Sequence, residues 1–185
     1  MNILVTGGAG YIGSTISNFY ARKGANVWVI DNLVNGNIKF LNKKIFFIKA
    51  DISSKNSINK ILKNNYFDLI IHCAALVDNA ESIKYSKKYF TNNYHKSVIF
   101  LKRCIKNGNK NFIISSTAAV YGNINKKCNE NNILNPQTPY AKSKLKLENF
   151  LRKQEINFAI LRYFNVVGTE RYMKSGFNIK NINNL

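Results

Sequence analysis

The chain has 185 residues, 45% of them hydrophobic and 12% aromatic, enough for one domain with a sizeable core and too few for two ordinary ones. That apolar fraction excludes disorder as the main state, and Gly 10 and Pro 2 exclude a collagen-like or linker-like chain. Lys+Arg 28 against Asp+Glu 9 gives a formal charge of +19, which fits either an anionic partner or a background composition.

The elements follow in order. Asn2 to Thr6 is a short apolar run, predicted as a strand. Gly7-Gly8-Ala9-Gly10-Tyr11-Ile12-Gly13 follows at once, and Ile12, Ile16, Phe19 and Tyr20 then recur at helical spacing up to Gly24, a plausible helix stop. Asn26 to Ile30 is a second strand, ending at Asp31, and Ile45 to Ile48 a third. Ser57 to Leu62 has helical spacing, with Ser53 or Ser54 as its cap. Phe67 to Ile71 is strand four. A long helix is expected over Ser86 to Lys106, with Tyr89, Phe90, Tyr94, Val98, Leu101 and Ile105 along one face. Asn111 to Ser115 is strand five, Asn123 to Pro139 a polar loop, Tyr140 to Lys153 a helix and Asn157 to Tyr163 strand six. Strands that alternate with helices and are continuously apolar predict an α/β fold, a doubly wound parallel sheet of the Rossmann type with helices on both faces.

The charge is best read as background. Of the basic residues 23 are lysines, scattered in ones and twos, and the chain also carries 30 asparagines. No specific nucleic-acid partner is expected, since clustered arginine and aromatic stripes are lacking. No run of 18 apolar residues exists, so no membrane span is expected, and the N-terminus carries no basic leader. Cys73, Cys104 and Cys128 are odd in number, are widely spaced and form no metal pattern, which suggests a reducing cytoplasm.

Two constellations carry chemistry. Gly7, Gly10 and Gly13 form GxxGxxG between a strand and a helix. Glycine permits the tight turn and the approach of backbone to a pyrophosphate, and the helix start near Tyr11 offers free N–H groups at a positive dipole end. Asp31, 18 residues after Gly13, ends the second strand, where a carboxylate accepts from ribose hydroxyls and repels a 2′-phosphate. With no Arg beside it, the cofactor is read as NAD rather than NADP. Asp51-Ile52 ends strand three; it lies beside an adenine or simply caps the next helix. His72, among apolar neighbours and with no acid partner evident, reads as structural. The second constellation is Tyr140-Ala141-Lys142-Ser143-Lys144, a YxxxK in which residues four apart share a helix face. A nearby ammonium favours the phenolate and is expected to lower the phenol's pKa. Ser115-Ser116-Thr117 ends strand five, 23 residues before the tyrosine, and supplies a hydroxyl able to bridge substrate and phenol.

In these stretches the chain resembles the extended short-chain dehydrogenase/reductase family, and within it the nucleotide-sugar 4-epimerases. The matching segments are VTGGAGYIGS (5–14), DNL (31–33), ADI (50–52), HCAA (72–75), YFTNN (89–93), SSTAAVYG (115–122), PYAKSKLKLE (139–148) and LRYFNVVG (161–168), in family order along the whole chain. The resemblance implies Tyr140 as the base, Lys144 as its electrostatic partner and Thr117 as the hydroxyl beside the sugar O4. It implies NAD contacts from Gly7, Gly10, Tyr11, Ile12, Gly13, Asp31, Asn32, Leu33, Asn35, Gly36, Asp51, Ile52, Cys73, Ala74, Ala75, Asn93, Tyr140, Lys144 and Phe164. A UDP-sugar substrate would meet Thr117, Tyr140, Asn165 and Asn184, and a homodimer is expected. Related dehydratases place an acid after the hydroxyl residue to eliminate water; Ala118-Ala119 offer none, whereas epimerisation requires none. Val77 stands where the family often has a lysine near the cofactor. The chain is also shorter than its relatives. Residues 1–168 are expected to be the NAD-binding domain and 169–185 the start of the substrate-binding region. The rest of that small C-terminal domain is largely missing, and epimerisation is expected to need it.

Overall fold

The computed structural model describes residues 1–124 and 127–168. Its six strands are β1 (Asn2–Thr6), β2 (Asn26–Asp31), β3 (Phe46–Lys49), β4 (Leu69–His72), β5 (Asn111–Thr117) and β6 (Asn157–Tyr163). They form one sheet in the order β3-β2-β1-β4-β5-β6, every pair parallel. The chain winds outward first through β2 and β3, then through β4, β5 and β6. The winding direction therefore reverses between β1 and β4, which opens a crevice at the carboxyl ends of those two strands.

Helices cover both faces because the strands are apolar on both. On one face Leu4, Ile30, Ile70, Phe112 and Ile114 pack against α2 (Lys55–Asn64), α5 (Ser97–Lys106) and α6 (Pro139–Leu151). On the other, Ile3, Val5, Val27, Val29 and Ile71 pack with Ala21, Ile16 and Tyr20 of α1 (Tyr11–Arg22). Register sets this division: Val5 lies between Val29 and Ile71, while Leu4 lies between Trp28 and Ile70. Local chemistry starts the helices. The Ser54 hydroxyl, not that of Ser53, caps α2 by accepting from Ser57 N. Thr138 caps α6 by accepting from Ala141 N, with Pro139 at the first helical position where its missing N–H costs nothing.

Besides shifts of one to two residues at other element ends, the structure differs from the sequence expectation in three places. Strand four begins at Leu69 and ends at His72, because Phe67 N is taken by the Asn109 side chain and Asp68 N by Asn2 O before the ladder starts. A short helix α3 (Asn79–Lys84), capped by Asp78, was not legible in periodicity; its six residues are too few to show a period. The long helix over 86–106 is three pieces: α4 (Ser86–Phe90), a π-helical turn over Thr91–Lys96, and α5. A π-turn widens the helix by one residue and is found at functional sites.

Candidate active site

The glycine turn sits at the reversal point. Gly7 has φ +64°, and a Cβ there would lie 2.6 Å from Ala74 N, so only glycine lets β1 turn against the segment leaving β4. A Cβ on Gly13 would stand 2.2 Å from Gly7 O, so the first turn of α1 lies directly on the loop. Gly10 is the N-cap of α1 and no side chain caps it, which leaves the helix start open toward the crevice. Asp31 is buried at the end of β2; its Oδ2 accepts from Ala9 N at 3.0 Å and its Oδ1 from Leu33 N at 2.8 Å. The loop through Asn32, Leu33, Asn35 and Gly36 closes over that carboxylate, and a Cβ on Gly36 would come within 2.9 Å of it. Leu33 is the non-glycine residue with positive φ among the described residues, 61°. Tyr11 reaches from the start of α1 to the segment beyond β6, its hydroxyl donating to Gly168 O at 2.5 Å.

Beyond β4, Cys73, Ala74 and Ala75 form a half-buried strip against Gly7. Three polar groups hold this strip. Thr6 O accepts from Cys73 N, and Thr6 Oγ1 from Ala74 N. Asn93, on the π-turn, is buried; its Oδ1 accepts from Leu76 N at 2.8 Å and its Nδ2 donates to Leu76 O at 2.8 Å. The same turn sends Lys96 to Asp51, Nζ to Oδ2 at 2.6 Å. Burial works against the Asp51 charge, but hydrogen bonds from Lys96 and Ser53 outweigh it and hold the carboxyl below its ordinary value. Asp51 therefore does not cap α2; it joins the end of β3 to the helix carrying Asn93. Ile52 beside it is buried. His72 is structural, as its apolar setting predicts: one ring nitrogen meets Thr6 Oγ1 at 2.7 Å, the other Ser97 Oγ at 2.9 Å. Burial, with the Lys144 charge adding to it, lowers its pKa to about 3 and keeps the ring neutral.

Thr117, at the end of β5, hydrogen-bonds the Tyr140 phenol, and Lys144 follows one helical turn on. Tyr140 and Lys144 share the inner face of α6, both buried. Ser82 of α3 accepts from Tyr140 N at 3.2 Å, and the Tyr89 ring packs edge-on to the Tyr140 ring at 6.4 Å. The Tyr140 phenol lies above its ordinary pKa, because burial outweighs the hydrogen bond with Thr117. Lys144 is buried too, and its own pKa falls to about 8, with Cys73 and Glu148 pulling the other way. Burial likewise pushes the Cys73 thiol up, against a hydrogen bond from Ser115. Phe164 and Asn165 follow β6 and are exposed, while Asn184 and the expected region 169–185 lie outside the described residues.

Sequence reasoning missed the residues that hold this group together: Ser82, Ser97, Lys96, and above all Glu148 and Arg162. Glu148 stands four residues after Lys144 on the same helix face, which is the one signal that could have marked it.

A doubly wound parallel sheet with a glycine turn at its reversal point defines a dinucleotide-binding α/β domain. A family model described as "NAD dependent epimerase/dehydratase family" matches residues 3–184, and the chain belongs to that family. A UDP-glucose 4-epimerase of Lactobacillus helveticus is 36% identical over 174 residues, covering 91% of this chain and 52% of the relative. UDP-arabinose 4-epimerase 1 of Arabidopsis thaliana is 34% identical, covering 91% of this chain and 44% of its own. The crystal structure of a UDP-glucose-4-epimerase from Stenotrophomonas maltophila, with NAD and formylated UDP-arabinopyranose, superposes with a TM-score of 0.90 at 32% identity, over 96% of this chain and 56% of that one. The chain thus spans about half the length of the curated relatives it matches.

Proposed function

We propose that this chain binds NAD in the crevice above β1 and β4 and carries the proton-handling residues of a UDP-sugar 4-epimerase. The observation that carries the reading is a Tyr140 phenol hydrogen-bonded to Thr117 and one helical turn from Lys144, in a fold whose glycine turn leaves no room for a Cβ at Gly7 or Gly13. That cradle fits a dinucleotide: Gly7, Gly10, Tyr11, Ile12 and Gly13 would face the pyrophosphate, and Asp31 with Asn32, Leu33, Asn35 and Gly36 the adenosine ribose. Asp51 and Ile52 would border the adenine. Cys73, Ala74 and Ala75, supported by Asn93, would line the path to Tyr140, Lys144 and Phe164.

NAD, when bound, supplies the hydride acceptor and donor that take a C4 alcohol to a ketone and back. Tyr140 takes the O4 proton and later returns it, and Thr117 bonds both the phenol and the sugar oxygen. Because the phenol sits above its ordinary value in this chain, proton removal needs positive charge close by. Lys144 provides part of it, in its ammonium form below about pH 8. Ala118 and Ala119 bring no acid to the turn after Thr117, which favours epimerisation over elimination of water. Asn165 and Asn184 would contact the nucleotide sugar. The specific form we propose is interconversion of UDP-glucose and UDP-galactose, in galactose metabolism of the cytoplasm. A homodimer is in keeping with the exposed Ile83 of α3, Tyr85 between α3 and α4, and Ile99 of α5.

Fluorescence titration with NADH and NADPH tests the cofactor: NADH should bind more tightly, and equal or tighter NADPH binding overturns it. In a protein extended by a relative's remaining half, Tyr140→Phe should lose roughly 10²-fold or more of turnover while keeping NADH. Near-normal turnover in that variant would defeat the assignment of the base.

A further inference from the structure

Glu148 lies one helical turn beyond Lys144 and two beyond Tyr140, on the face of α6 turned to the sheet. It is fully buried, 0% exposed; Arg152, at the end of the same helix, reaches Oε2 at 4.0 Å, and its hydrogen-bond partners come from separate elements. Ser116 of β5 donates to Oε1 at 2.5 Å. Arg162 of β6 spans both oxygens, Nε donating at 3.2 and 3.3 Å and Nη2 to Oε2 at 2.6 Å. The remaining arm of Arg162, Nη1, donates to the Tyr121 hydroxyl at 2.9 Å, and the guanidinium lies 5.0 Å over that ring. These anchor points surround Thr117. Ser116 precedes it, and Tyr121 ends the 3₁₀ turn that the Thr117 hydroxyl caps.

A buried ion pair contributes little to stability over apolar side chains of the same volume, whereas its forked geometry fixes orientation. We propose that Glu148 is a positioning residue for the Thr117–Tyr140–Lys144 group: held by Arg162 and Ser116, it fixes the register of α6 on β5 and keeps one negative charge a helical turn from the Lys144 ammonium. This rests on the reading of Tyr140 and Lys144 as the proton-handling pair. The electrostatics agree with the geometry. Lys144 is acted on by Cys73 from the end of β4 and by Glu148 from α6, and its charge is felt by His72 of β4. Tyr140 shares its helix face, Arg162 of β6 faces α6, and Tyr163 points to the opposite face of the sheet. Of these groups, Cys73 and Glu148 pull toward the charged ammonium, against its burial.

The test compares the chain with Glu148→Gln, Arg162→Met and the double variant, by urea midpoint, by NMR titration of the Lys144 ε-methylene and by NADH affinity. Glu148→Gln alone should be strongly destabilised, because it leaves the largely buried Arg162 guanidinium without its close counter-charge. The double variant should regain most of that stability. Its Lys144 midpoint should nevertheless fall at least about half a pH unit below that of the parent, and its NADH affinity about tenfold. A double variant that titrates and binds NADH like the parent reduces the pair to a structural one and overturns the proposal. If the double variant does not fold, Ser116→Ala keeps both charges and removes one bond. An upward shift of the Lys144 midpoint by a few tenths of a unit is then expected, and no shift refutes the proposal. A parent chain that fails to bind NADH would defeat the proposed function, while the Lys144 titration would still judge Glu148.

Discussion

The two faces of the sheet are completed to different degrees. Under α2, α5 and α6, Leu4, Ile30, Ile70, Phe112 and Ile114 are all at most 2% exposed. On the opposite face α1 seals β1 and β2, but toward β6 it leaves an apolar groove between Ile16 and Phe19 on one side and Ile113, Leu161 and Tyr163 on the other. Leu161 stays 39% exposed and Phe19 50%. β6 makes the contrast within one strand: Phe158 and Ile160 pack on the core, while Ala159 and Leu161 point to the open side. Its sequence, NFAILRY, is apolar in both directions, the pattern of a strand meant to be covered twice. Sequence specifies two-sided burial here, and the described fold provides one side of it.

The largest effect belongs to the sealed face. Phe112→Ala should cost about 3–5 kcal/mol, since a large cavity would open between α5, α6 and the sheet. Denaturant unfolding measures it, and a loss below about 1 kcal/mol would mean that this face is not close-packed.

The sealed face also carries a buried switch in proton binding. The His72 ring stays neutral in the folded chain down to about pH 3 but takes up a proton near pH 6.5 once unfolded. Between those values the unfolded state holds more protons, so stability falls as the pH drops. The slope should be roughly 1.4 kcal/mol per pH unit from this group. Urea midpoints between pH 8 and pH 4 should therefore fall more steeply for the parent than for His72→Asn. Coincident slopes would place the ring in water.

The smallest effect belongs to the open face. Leu161→Ser should change stability by no more than about 0.5 kcal/mol, because little apolar surface returns to water. It should reduce any self-association seen by sedimentation, since it interrupts the exposed apolar groove. A loss comparable with that of Phe112→Ala would show that the two faces are equally sealed.

Much of the candidate site was legible because its chemistry is local in sequence. The glycine spacing, Asp31 at the end of a strand and the YxxxK of α6 each sit within one turn or one helix, where spacing alone fixes which residues adjoin. The strands were legible for the same reason, being short apolar runs bounded by glycine, asparagine or a cap. What could not be read were contacts between residues far apart in the chain. Asn93 meets Leu76, Lys96 meets Asp51, Ser82 meets the N–H of Tyr140, and Arg162 meets Glu148 only because the sheet order and one π-turn bring them together.

The sequence by itself determined the fold class, the turn that only glycine can make and the positions of the residues proposed to handle a proton. Periodicity and backbone sterics are properties of neighbouring residues. Only the tertiary structure decided how those groups are charged. Burial in the assembled core, not the identity of Lys144 or His72, lowers one ammonium to about pH 8 and one imidazole to about pH 3. The same burial raises the Tyr140 phenol where spacing alone had suggested the reverse. Desolvation depends on everything packed around a group, and no local pattern of residues records it.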